Sequence, residues 1–143
     1  MMERRYSELI TIPTFSERFE YLKLDGSVCD ETFGGGRWLN QMFYQTPEWR
    51  SARRRAILRD MGCDLGCSER PILGRIYVHH MNPITKQDIL DRSPNLFDLE
   101  NLICCSDLVH KAITFGDPNI LPKKYNERRP GDTYLWKPLT TEV

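Results

Sequence analysis

Histidine is scarce in this chain, with three in 143 residues, and several features that would settle its class at once are missing. No stretch approaches the ~20 apolar residues of a membrane helix, so no membrane association is expected. The N-terminal MMERRYSELI has arginines but no apolar core of about 7–15 residues, so no secretory signal is expected either. There is no net charge: 20 Lys and Arg balance 20 Asp and Glu. A uniform basic coat for nucleic acid is thereby excluded, while local patches stay open. Cysteine is present in an odd number, five, with Cys104 and Cys105 adjacent. That suits reduced thiols in an intracellular compartment better than a disulfide scaffold. No internal repeat is visible, and the length fits one domain.

What is present begins with helix signals. Residues 6–24 read as helical with a break at Pro13; Thr14 or Ser16 caps the second part, and Phe15, Phe19 and Leu22 fall at helical spacing. Residues 25–37, with three successive glycines, read as a connection. Thr46, Pro47 and Glu48 then form an N-cap, N1 and first-turn start. The helix they open runs to about residue 60 or 61, with Gly62 past its end. Trp49, Ala52, Ala56 and Ile57 make its buried stripe. Arg50, Arg53, Arg54, Arg55 and Arg59 crowd the rest, either as a solvated face or as contacts to phosphate.

Residues 63–85 look like a β-hairpin, with turn residues around Gly66 to Pro71 and a strand-like run from Ile72 to His79 that Asn82-Pro83 ends. ITKQDILDRS has short helical character, and Leu102 to Cys104 reads as a brief strand. Ser106 as N-cap, Asp107 in the first turn and Gly116 past the end frame a last helix. The tail from Asp117 is rich in Pro, Lys and Arg, and Tyr134-Leu135-Trp136 is expected to pin it to the body.

Two of the three histidines, His79 and His80, are adjacent, and alternation on a strand sends adjacent rings to opposite faces. Taken singly, each has a structural alternative, and Asn101 reads equally as an Asx turn or cap. Together with His110 on the last helix they form an ordered set.

That set resembles the HNH endonucleases, the ββα-metal nuclease family. "VHHMNPI" supplies the first element, "LENLICC" the second and "LVHKA" the third, with nine residues from Asn101 to His110. "RWLNQMFYQTPEWRSARRRAILRDMGCDLG" resembles the arginine-bearing helix that leads into this fold. The flanks, "YSELITIPTFSERFEYLKLDG" and "RRPGDTYLW", look like those of phage-encoded members found beside terminase genes.

The resemblance implies an α+β fold. A small ββα-metal core of hairpin plus helix would span residues 38–116, with an N-terminal helical extension and Gly-rich loop at 1–37 and an irregular tail at 117–143. It implies a metal-dependent endonuclease acting on DNA phosphodiesters. His80 aligns with the general base and Asn101 with the asparagine that holds that ring in place. His79 and His110 align with the ligands of one divalent ion. Mg²⁺ or Mn²⁺ is the expected ion, with Zn²⁺ or Ni²⁺ also suited to two imidazoles. DNA is the expected partner, through Arg50, Arg53, Arg54, Arg55 and Arg59. Phage terminase or portal proteins are further partners, the place of action is the host cytoplasm, and the state is monomer or dimer. Asp98, Glu100 and Asp107 are read as surface carboxylates and caps rather than ligands.

One departure from the family concerns the structural zinc that many members hold with two Cys-x-x-Cys pairs. Here three residues rather than two separate Cys63 from Cys67, and Ser106 and Val109 stand where the second pair would fall. No structural zinc is expected, with the cysteines as small buried hydrophobes. A site from Cys63, Cys67 and one of Cys104 or Cys105 is the alternative. Two other functions stay open: a non-catalytic nucleic-acid-binding or packaging-assembly subunit on the same scaffold, and a zinc-organised binding module.

Overall fold

Local capping chemistry sets most of the helix starts in the computed structural model, which describes residues 3–25 and 37–122. The glycine-rich loop and the Tyr134–Trp136 tail lie outside the described residues. After the short α1 (Tyr6–Leu9), the Thr14 side chain accepts from the Glu17 amide to start α2 (Phe15–Leu22). Next come α3 (Arg37–Tyr44) and α4 (Pro47–Asp60), the latter capped by Thr46 with Pro47 in its first turn. A reciprocal Thr85–Asp88 capping box opens α5 (Lys86–Asp91). Ser106 caps α6 (Asp107–Phe115). This last helix ends on Gly116 at φ 66°, where a Cβ would stand 2.0 Å from the Leu24 carbonyl oxygen. The positive φ and that close approach both call for glycine.

The fold is α+β, and among the described residues its sheet is a single antiparallel pair, β1 (Tyr77–His80) with β2 (Leu102–Cys105). The register sets His79 opposite Ile103 and His80 opposite Leu102. Here the structure corrects the expected hairpin. Residues 63–83 do not fold back on themselves as two strands; they make one isolated bridge, Cys63 to Pro71, and β1 pairs across the segment 81–101 with β2. The strand also starts at Tyr77 rather than Ile72.

Alternation divides the core in two. One cluster gathers Ile103, Cys105 and Met81 with Val109 and Ile113 of α6 and with Leu9, Phe15, Phe19 and Leu22 of α1 and α2. The N-terminal helices therefore share the hairpin's own core. The other cluster sets Leu102 against Phe43, Trp49, Ala52, Ala56 and Leu96. Each large apolar side chain so buried contributes roughly 1.5–3 kcal/mol relative to exposure.

The buried stripe of α4 is Trp49, Ala52, Ala56 and Asp60, with Ile57 only partly buried. Asp60 takes the place expected of an apolar residue because it has partners there. Its carboxylate accepts from the Cys104 amide at 3.0 Å and from Arg59 at 2.9 Å. Asp64 accepts from the Ser106 amide at 2.6 Å, and Arg18 donates to the Leu65 carbonyl at 2.8 Å. The carboxylate bonds fasten the end of α4 and the chain after it to the end of β2, and the Arg18 bond ties that chain to α2. Cys63, Cys67, Cys104 and Cys105 are buried free thiols beside this clasp, and burial raises the pKa of the last three.

Candidate active site

The three histidines converge on the hairpin and the helix that closes it. His79 and His80 are both strand residues, so alternation sends their rings to opposite faces, as expected. His79 shares the α6 face, where its ring meets that of His110 edge-on at 5.2 Å between centres. His80 shares the α4 face, stacked on Trp49 at 5.1 Å and 27°. Both line one cleft of 690 Å³, and His110 lines it with them.

His80 is fixed by one hydrogen bond. Its Nε2 lies 3.0 Å from the Leu96 carbonyl oxygen. A carbonyl only accepts, so Nε2 carries the hydrogen and Nδ1 keeps its lone pair. Nδ1 has no partner among the described residues. Burial pushes the imidazole down to about 4, against a smaller opposing effect of the Leu96 bond, so the ring is neutral at physiological pH.

Asn101 acts one step behind it. Its Oδ1 accepts from the Asn82 backbone amide and side-chain amide, each at 2.8 Å. Its Nδ2 donates to the Asn95 carbonyl at 3.1 Å. Asn95 precedes Leu96 in the short turn Pro94–Leu96, so the buried Asn101 holds the turn whose carbonyl holds His80.

His79 presents the opposite condition. Its Nε2 is buried with no hydrogen-bond partner among the described residues, and leaving such an atom unpaired is costly. Burial first, then the neighbouring His110, hold its pKa well below the ordinary histidine value. Burial lowers that of His110 as well. Both rings are neutral, as metal ligands must be.

Two imidazoles sharing one ion at a metal–nitrogen distance of about 2.1 Å have their centres roughly 5 Å apart, which the His79–His110 spacing fits. No group of three or more His, Cys, Asp or Glu among the described residues is arranged to hold a metal. An ion on this pair would therefore complete its shell with water and phosphate oxygens. Asp98 caps a turn through the Glu100 amide, Glu100 accepts from Ser7, and Asp107 pairs with Lys111.

The five arginines of α4 part company. Arg53 lines the cleft, with its guanidinium donating to the Ile76 carbonyl at 2.8 Å. Arg50 and Arg54 are exposed, and Arg55, also exposed, reaches Ser51. Arg59 is turned into the fold: it donates to the Leu99 and Leu102 carbonyls and lies 3.5 Å over the Tyr6 ring. These bonds occupy it in the clasp, away from the expected phosphate-contacting set.

Arg75 is the residue that the sequence reading passed over. It lines the cleft with its guanidinium 5.1 Å over the Tyr77 ring, which stacks on His110 at 5.6 Å and 10°. The signal was available in the period of two that joins positions 75, 77 and 79. In a chain of zero net charge, the described residues that line this cleft include two arginines and three histidines and no carboxylate.

Compared with protein-family models, with curated proteins and with solved structures, the chain matches none.

Proposed function

We propose that the protein is a metal-dependent endonuclease that hydrolyses DNA phosphodiester bonds in the histidine cleft. The observation that carries this reading is the cleft's lining: among the described residues, arginine and neutral imidazole without a carboxylate, a setting that attracts a phosphodiester and leaves nitrogen lone pairs available. The roles are those the resemblance implies, and the geometry supports them. Arg53 and Arg75 draw the phosphate in. His80 takes a proton from water at Nδ1 as the water oxygen bonds to phosphorus, and the 3′-oxygen leaves with the bonding pair and takes a proton from solvent. Asn101 positions that base through the Asn95–Leu96 turn. His79 and His110 would hold the divalent ion, Mg²⁺ or Mn²⁺ in this reading, which when bound supplies positive charge against the charge developing on phosphate oxygens.

A non-catalytic nucleic-acid-binding subunit on the same scaffold is the second reading. The low basicity that burial imposes on His80 favours it, since a base works best when its pKa lies near the working pH. Association with phage DNA packaging in a host cytoplasm rests on the resemblance of the flanking segments alone. Among the described residues no helix is long and apolar enough to cross a membrane.

Supercoiled plasmid incubated with Mn²⁺ or Mg²⁺, with and without EDTA, separates the two readings. Nicking that needs metal and disappears in His80→Ala, with the fold and DNA binding retained, is the expected result. Undiminished cutting by His80→Ala sinks the base assignment, and no cutting by the wild type under any metal leaves the binding subunit.

A further inference from the structure

The cleft is larger and more apolar than a phosphodiester needs. Arg53, Arg75 and the histidines account for its charged and polar end, and the surplus lies toward α3. There Tyr44 and Gln41 line one side, and Pro83 and Ile84, just after β1, line it with them. Packing of α3 against α5 holds these walls together. Tyr44 is 41% exposed, a large aromatic left accessible on a cleft wall. Its ring is nevertheless fixed, edge-on to Phe43 at 5.0 Å and to Trp49 at 5.2 Å. Trp49 in turn stacks on His80, so the exposed ring is one residue removed from the proposed base.

A regular duplex offers phosphate and sugar to a protein surface and keeps the faces of its bases stacked. It has no use for an aromatic and apolar wall beside the reacting phosphate. An unpaired nucleotide does: every base has a π-face, and stacking on a protein aromatic is sequence-tolerant. The Gln41 amide adds one donor group and one acceptor for a base edge. Charge complementarity points the same way, since the end lined by Arg53 and Arg75 receives the phosphate of that same nucleotide.

We infer that the wall formed by Tyr44, Gln41, Pro83 and Ile84 is a nucleobase subsite, and that the protein engages an unpaired nucleotide of a DNA strand rather than a regular duplex. The inference deepens the nuclease reading and rests on it for the position of the reacting phosphate, whereas the stacking itself does not depend on catalysis.

Binding is measured by fluorescence anisotropy in EDTA, using the full chain and a labelled DNA oligonucleotide of about 12 nucleotides. The same oligonucleotide is tested single-stranded, as a duplex, and as RNA. The single strand is expected to bind at least about tenfold more tightly than the duplex. Tyr44→Leu keeps an apolar side chain without the π-face and should lower single-strand affinity about tenfold while leaving the duplex unchanged. Tyr44→Phe should bind as the wild type does, and its thermal melt guards against a folding defect. Equal wild-type affinity for strand and duplex, or an equal loss on both in Tyr44→Leu, overturns the subsite. Tighter binding of RNA than of DNA overturns the choice of DNA. A protein with Tyr44-dependent single-strand binding that cuts nothing with Mn²⁺ keeps the subsite and loses the nuclease. Plasmid nicking without strand preference does the reverse.

Discussion

Two clusters of buried polar groups hang on the same two strands, and they are built on opposite terms. At the end of β2, Asp60 and Asp64 have their carboxylates bonded to the Cys104 and Ser106 amides, with Arg59 paired to Asp60. At the end of β1, His79 Nε2 and His80 Nδ1 have no hydrogen-bond partner among the described residues. His79 Nε2 is as buried as the clasp, so solvent does not explain its lack of a partner. The first satisfies backbone groups and fastens α4 to the sheet. The second keeps the His79 lone pair unspent at a cost in stability, the condition that a site for an external ligand needs.

The contrast is broken most directly by removing one member of each cluster. Asp60→Ala strips a buried acceptor from the Cys104 amide and leaves Arg59 without its carboxylate, and it should cost about 3–5 kcal/mol in a urea melt. His79→Leu replaces an unpartnered polar atom with an apolar side chain of similar reach, and its stability should stay within about 1 kcal/mol of wild type. A loss from His79→Leu as large as that from Asp60→Ala would falsify the division.

Acid sharpens the same comparison. In the metal-free protein His80 is held neutral by burial, with its pKa down to about 4 from 6.5. The unfolded chain therefore takes up a proton that the folded chain refuses. The stability this represents is fully present above about pH 6.5 and is lost as pH falls toward 4. The loss from His80 alone is on the order of 3 kcal/mol, and His79 and His110, shifted in the same direction, steepen it. Urea midpoints followed from pH 7 downward should fall more gently in His80→Phe than in the wild type. Parallel curves would mean that the imidazole is not held neutral.

Much of this arrangement was legible in the residue order, and the reason is local chemistry. Thr14, Thr46 and Ser106 cap the helices they were expected to cap, and Gly116 ends the last one, because a cap is decided within a few residues. The convergence of His79 and His110 followed from ordering a strand and a helix in a known pattern. What stayed hidden depends on distant partners. The run from Ile72 looked able to pair within its own neighbourhood, yet β1 finds β2 across residues 81–101. Asp60 falls on the buried side of α4 only because Cys104 waits for it, and Arg59 leaves the arginine face for the carbonyls of Leu99 and Leu102. Neither choice can be read from the helix alone.

The smallest expected effect tests the open side of the comparison alone. An ion that binds the folded chain and not the unfolded one stabilises by mass action, about 2.7 kcal/mol at a hundredfold excess over its dissociation constant. Two imidazoles make a sparse ligand set, so Mn²⁺ should raise the thermal midpoint by less than this until inorganic phosphate is added to complete the shell. His79→Leu and His110→Leu should each remove the shift, because either leaves a single nitrogen. Asp60→Asn should retain it, because the clasp takes no part in holding the ion. A shift that survives His79→Leu and vanishes in Cys63→Ser would move the metal to the thiols beside the clasp, and the two clusters would exchange roles.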